Sequence, residues 1–182
     1  CKIYLLHGTV SEGNLAWLYN HPQICALINI GHGEGFGLPL FEGACNGLPL
    51  ITISWSGQAD FIYAPNKKGK MRPMISKVDY QLQPVPPEAV WEGVIQKESM
   101  WAYADEKSYK KQLRDVYTNT NKYRASAKRL QKHILKNFDK EDQYQEFLEA
   151  FWPEDSWGPI DQINEVLDLE GWLEDLNAEE HE

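Results

Sequence analysis

Cysteine, a leader and a long apolar run are the three things this 182-residue chain has little of or lacks. Cys1, Cys25 and Cys45 are its only cysteines, an odd number with no CxxC spacing. That excludes a disulfide framework and the usual zinc patterns, and it points to a reducing compartment, hence the cytoplasm. No apolar stretch approaches the roughly 20 residues that span a bilayer. No basic-then-apolar leader opens the sequence, and it begins with Cys1 rather than Met, as a fragment or a processed chain would. Positive charge is missing from one region altogether: residues 154–182 hold 11 acids and neither Lys nor Arg. All 18 Lys and Arg and 16 of the 27 Asp and Glu fall in residues 1–153. The formal charge of −9 therefore belongs to the tail, and a body near neutrality is free to accept an anion.

What is present is a chain with 42% hydrophobic and 12% aromatic residues, enough to bury a core and too apolar to be mostly disordered. Its length suits one domain of ordinary size. Residues 2–6 (KIYLL) read as a strand, and residues 7–9 as a turn. Ser11 or Asn14 caps a helix through Tyr19, with Leu15, Leu18 and Tyr19 on one face. Residues 24–30 form a near-continuous apolar run between Pro22 and Gly31, the pattern of a strand buried on both faces. A helix from Leu38 to Asn46 has Pro39 in its first turn and Gly47 at its close, and residues 48–53 form the next buried strand. Strand, loop, helix, strand is the βαβ unit of a parallel sheet with helices on its faces, an α/β fold.

Beyond Phe61 the pattern breaks into a basic loop at 66–70 and an excursion of short strands over 71–87. Helices follow: one with Tyr109, Leu113, Val116 and Tyr117 on its face, and one with Tyr123, Ala127, Leu130, Ile134 and Leu135. A third runs from Lys140 to Phe151 with Tyr144, Phe147 and Leu148, and Pro153 ends it. The organisation is a domain over 1–153 and an acidic tail over 154–182, where Ile160, Ile163, Leu167, Leu169, Trp172, Leu173 and Leu176 fit two short amphipathic turns.

The segment that carries chemistry is GHGEGFGLPLFEGACNGLPLI, residues 31–51. Glycines at 31, 33, 35 and 37 permit positive φ and close approach of a ligand to the backbone. The loop joins a strand's carboxyl end to a helix N-terminus, the edge where α/β sheets bind ligands and where unpaired N–H groups favour phosphate. The dinucleotide fingerprint GxGxxG fails, because its last glycine falls on Phe36 or Leu38. The triphosphate loop fails for want of a following Lys. Two carboxylates remain, Glu34 in the loop and Glu42 on the helix. A bare phosphate site disfavours a carboxylate so near, whereas a ligand with both phosphates and vicinal hydroxyls uses it. The plain alternative is two solvated carboxylates beside a turn.

EGFGLPLFE, Glu34 to Glu42, resembles the E-x7-E motif of retaining, nucleotide-sugar-dependent glycosyltransferases of the GT-B fold, especially glycosyltransferase family 4. The likeness extends through Gly47-Leu48-Pro49-Leu50-Ile51, similar to that family's GxPVI strand, and through Ser56-Gly57-Gln58-Ala59-Asp60, similar to its GGxxE turn with Asp for Glu. Upstream, His7 to Ser11 with Leu15, Leu18 and Tyr19 resembles a further family stretch, and Trp101-Ala102 with the helix after it resembles a late one. The resemblance covers residues 2–61 closely and 100–151 loosely.

The resemblance implies a Rossmann-like sheet, the C-terminal, donor-binding half of a GT-B glycosyltransferase, followed by C-terminal helices. It implies that Glu34 is the catalytic carboxylate beside the donor sugar and that Glu42 holds the ribose hydroxyls. Backbone N–H groups at Gly35, Phe36, Gly37 and Leu38 would meet the sugar and the diphosphate, with His32, His7 and Gly8 as secondary candidates. No metal or other cofactor is expected, since helix terminus and basic side chains would steady the departing diphosphate. The partners implied are a nucleoside-diphosphate sugar and an acceptor, glycan, lipid or small molecule, with no nucleic acid. Configuration would be retained, the acceptor attacking from the leaving-group face.

Two departures stand out. The family's early Arg and Lys pair has no counterpart, Lys2 lying too near the first matched strand, and the acceptor-binding N-terminal domain is missing. The expectation is therefore a donor-binding C-terminal part of a larger enzyme, inactive alone and touching a membrane only through the missing part. The alternatives are a non-catalytic module that acts only with another chain, or a nucleotide-sugar epimerase of the same fold.

Overall fold

The structure is a computed structural model and describes residues 2–151; the acidic tail and its two expected turns lie outside them. A first compact unit extends to Asn137, and a second begins at Phe138.

The first unit is α/β. Its elements run α1 (Glu12–Asn20), β1 (Leu27–Asn29), α2 (Leu38–Cys45), β2 (Leu50–Thr52), β3 (Tyr63–Pro65), β4 (Met71–Pro73), β5 (Ser76–Lys77), β6 (Tyr80–Pro84), β7 (Met100–Ala104), α3 (Glu106–Thr118) and α4 (Thr120–Asn137). A small parallel sheet has the order β1-β2-β5, with Ile28 opposite Ile51 and Thr52 opposite Lys77. Two antiparallel pairs, β3-β4 and β6-β7, follow; β4, β5 and β6 fall in the stretch 71–87 expected to hold short strands, whereas β3 and β7 lie outside it. The basic loop at 66–70 is the turn of the first pair, closed by Asn66 Oδ1, which accepts the N–H groups of Lys68 and Lys70.

The helix ends form for the reasons the sequence suggests. Ser11 is the N-cap of α1, its hydroxyl accepting the Asn14 N–H at 3.4 Å. At the end of α2, Gly47 N–H bonds Ala44 O and Leu48 N–H bonds Gly43 O, both at 2.9 Å. That pair of bonds is a Schellman closure, and it needs the left-handed φ of +70° that Gly47 supplies. Asp105 caps α3 by accepting the Ser108 N–H.

The core lies between the sheet and the helices. Ile51 and Ile53 from the β2 strand region, Val78, Ala102 of β7 and Val116 of α3 form one buried cluster, with Tyr109 and Tyr123 packed against it. Leu40 and Ala44 of α2 and Ala127, Leu130 and Ile134 of α4 are also buried. Gly43 is small because β1 runs close by: a Cβ there would meet Leu27 Cδ2 at 2.9 Å.

Four expectations fail. Residues 2–6 are not a strand but an extended, solvent-exposed segment, with Ile3 at 90% exposure, because no described strand pairs with them. The apolar run 24–30 yields only three strand residues and is not buried on both faces: β1 is an edge of the sheet, and Ile28 is 40% exposed. On α3, Leu113 and Tyr117 face solvent while Ser108 and Val116 are buried. On α4, Leu135 is exposed and Ile134 beside it carries the packing.

The second unit contains α5, Lys140–Phe151, where the sequence places a helix. Asp139 starts it, its side chain accepting the Glu141 N–H at 3.0 Å.

Candidate functional site

A cleft of about 550 Å³ opens at the carboxyl ends of β1 and β2. One side is the glycine loop after β1, contributing His32, Gly33, Glu34 and Gly35. Trp55 and Ser56 after β2 form its floor, and Val94, Ile95 and Met100 with Trp101 form the far wall. The size and the mixture of apolar wall and a few polar groups suit a small-molecule ligand.

Glu34 is half-buried and tightly held. Its Oε1 accepts from Asn29 Nδ2 at 2.6 Å, and Asn29 Oδ1 accepts the Gly31 N–H at 2.9 Å. Its backbone is clamped from the β2 side. Ser56 Oγ accepts the Glu34 N–H at 3.3 Å and donates to Glu34 O at 2.7 Å, and Gly57 N–H donates to the same oxygen at 3.0 Å. Ser56 adopts φ +66°, a region costly for a non-glycine residue and frequent where geometry is held for function. Gly57 admits nothing larger: a Cβ would lie 1.9 Å from Gly35 O.

His32 is fixed to β7. Its Nδ1 is 2.9 Å from Ala102 O, and its own carbonyl accepts the Ala102 N–H at 3.0 Å. The ring stacks on Trp101, 4.7 Å between centroids with planes 2° apart, and tilts against Tyr103 at 4.5 Å. The glycine loop is thus held by β7 on one side and by the turn after β2 on the other.

Of the residues the sequence nominates, His32, Glu34 and Gly35 line this cleft together. Phe36, Gly37, Leu38 and Glu42 do not. The Phe36 ring packs with Phe41 and Phe61, 5.2 Å to each centroid. Gly37, at φ +88°, is the N-cap of α2, and Leu38 in its first turn is exposed. Glu42 accepts the Tyr19 hydroxyl at 3.1 Å. Burial first, then the hydrogen bond to Glu42 and its charge, push the Tyr19 hydroxyl up to about 12. Burial and the same charge raise the Cys45 thiol, which makes it a poor nucleophile. His7 and Gly8 sit in the exposed segment before α1 and line neither this cleft nor the smaller one described next.

Asn29, Ser56, Trp101 and the 94–100 wall were not nominated from the sequence. An Asn at a strand end carries no pattern of its own, whereas Ser56 stood inside a matched motif.

A smaller cleft of about 190 Å³ lies where the C-terminal ends of α1 and α2 meet α4. Arg124 there donates to Ile24 O at 3.2 Å, and Gln131 Nε2 donates to Cys45 O at 2.7 Å. Two helix C-termini carry partial negative charge, so Arg124 and Lys128 are explained as their complement. No Lys or Arg among the described residues lines the larger cleft. Among the described residues no group of three or more His, Cys, Asp or Glu is placed to hold a metal ion. No described helix is long and apolar enough to cross a membrane.

Family models, curated proteins and solved structures were each compared with the chain, and none matches it.

Proposed function

We propose that the chain is the donor-binding part of a retaining glycosyltransferase, Rossmann-like and of GT-B type, transferring a sugar from a nucleoside-diphosphate sugar to an acceptor. The observation that carries the reading is Glu34. Its carboxylate stands at the lip of a ligand-sized cleft at the carboxyl ends of two parallel strands, the edge where α/β sheets take ligands. Among the described residues only Oε1 has a partner there, so Oε2 is available to a ligand hydroxyl. A carboxylate accepting from sugar hydroxyls beside Trp55 and Trp101, whose faces suit the C–H face of a sugar ring, is sound carbohydrate chemistry.

In this reading Glu34 meets the donor sugar at the reacting centre, and the N–H groups of Gly35 to Leu38 would meet the diphosphate, which would extend past the cleft, since Gly35 alone of the four lines it. Glu42, on α2, takes the ribose hydroxyls by exchanging its bond from Tyr19 for one from the ligand. Basic side chains that neutralise the departing diphosphate come from outside this cleft, since its described lining has none. The reaction would need no metal, and the acceptor would be bound by a further domain.

Calorimetry with a panel of UDP- and GDP-sugars tests the proposal. The expected result is saturable binding by the full chain that weakens about tenfold or more in Glu34→Ala, as loss of a charge-assisted hydrogen bond predicts. Absence of binding to every member of the panel, by the chain and by any longer form that contains it, would overturn the assignment.

A further inference from the structure

We propose that Asn29 is the positioning residue of this site, presenting Glu34 Oε2 to a ligand hydroxyl by holding Oε1. The inference rests on the reading of Glu34 as the sugar-facing carboxylate, and it assigns a role to a residue outside the E-x7-E segment.

Asn29 closes β1, and its amide is committed at both ends. Oδ1 accepts the Gly31 N–H at 2.9 Å, and Nδ2 donates to Glu34 Oε1 at 2.6 Å. A flipped amide would set a carbonyl against the carboxylate and an NH2 against an N–H, so the orientation is fixed by chemistry. The bridge ties three things together: the last residue of the strand, the first of the loop and the carboxylate. Ser56 and Gly57 fix the Glu34 backbone, but backbone bonds leave the side-chain torsions free. Asn29 is the one described residue that bonds the carboxylate itself. A long side chain on a glycine loop would otherwise sample several rotamers, and ordering it on binding would cost affinity. With Oε1 engaged by Asn29, Oε2 is the oxygen left with both lone pairs unpaired, and the site selects a donor group, a hydroxyl, over another acceptor. Asn suits this task better than Lys or Arg. It donates without adding a charge that would pull Oε2 into a second ion pair.

The discriminating comparison is between ligands with and without the sugar. UDP-glucose and GDP-mannose are titrated into the full chain beside UDP and GDP. Asn29→Ala, and the isosteric Asn29→Asp that keeps the acceptor for Gly31, should each weaken the sugar nucleotide about tenfold and leave the bare nucleotide within about twofold. The double variant Asn29→Ala/Glu34→Ala should bind no more weakly than Glu34→Ala, because both substitutions remove one interaction. Equal weakening of sugar and bare nucleotides, or additive losses in the double variant, would overturn the positioning role. If no nucleotide binds the unsubstituted chain or any longer form that contains it, the glycosyltransferase reading falls, and the Asn29 bond is still read without ligand. In that case the side-chain amide resonances of Asn29 should move on Glu34→Ala, and resonances that stay in place would sink the inference.

Discussion

Gly57 lies against Gly35 more closely than any methyl group allows, since a Cβ would stand 1.9 Å from the Gly35 carbonyl oxygen. Gly57→Ala must therefore push the turn after β2 off the glycine loop, breaking the bonds from Ser56 and Gly57 to Glu34. Overpacking of this kind costs about 1–3 kcal/mol. In a domain of this size that lowers Tm by roughly 2–4 °C per kcal/mol, which a thermal melt will register. At this scale the sequence was readable wherever a residue type answers a backbone demand. Gly37 and Gly47 take the positive φ that the ends of α2 require, and Pro39 sits where no N–H is needed. It was unreadable for Asn29, whose role depends on a carboxylate five positions away in a loop of no regular period.

Among the elements, the junction of α3 and α4 gathers three side chains on one carboxylate, beside the bonds of the Thr120 hydroxyl to Val116 O and Tyr117 O. Asp115 accepts from the Tyr123 hydroxyl, from Asn119 Nδ2 at 2.6 Å and from Lys122 Nζ at 3.4 Å. The Tyr123 hydrogen bond leads in holding the Asp115 carboxyl below its usual value of 3.8, with Asn119 and Lys122 adding to it. A depressed carboxyl contributes stability above its unfolded value and loses it as pH falls through the folded one. Asp115→Asn should thus flatten the acid side of the stability curve, as urea midpoints measured from neutral pH downward would show. Element type was legible from periodicity, with α1 to α4 and both sheet strands of the βαβ unit appearing where expected. Lengths and faces were not. An apolar run such as 24–30 reads as doubly buried, but burial depends on a neighbour strand, and β1 is an edge. Leu135 and Ile134 are adjacent apolar residues on one helix, and only the line of approach of the neighbouring elements decides which is covered.

For the whole molecule, charge is divided by sequence rather than by surface. Residues 1–153 are close to neutral, and residues 154–182 carry the net negative charge. Truncation after Pro153 changes the formal net charge from −9 to +2. On the proposed function, that should strengthen nucleoside-diphosphate binding at low salt, and the gain should fade as ionic strength approaches 1 M, where the Debye length is about 3 Å. Calorimetry across a salt series measures it, and an advantage independent of salt would refute the electrostatic account. The α/β architecture was foreseeable at this scale from one strand-loop-helix-strand segment, and short strands were expected over 71–87, whereas residues 94–101, which supply the far wall of the cleft, carried no strand signal of their own.

The clamp around Glu34 has a kinetic consequence. Three hydrogen bonds between Glu34 and the Ser56–Gly57 turn, the Asn29 bridge and the stack of His32 on Trp101 brace the glycine loop from both sides. The opposing segment is different: between the Val85–Ser99 bond and the Trp91–Ile95 bridge it is tied mainly to itself, and Val94 at its tip is 62% exposed. Residues 86–99 are therefore the less braced wall of the cleft. The rates at which a ligand enters and leaves should follow the sequence of that segment, while its orientation once inside is set by the rigid side.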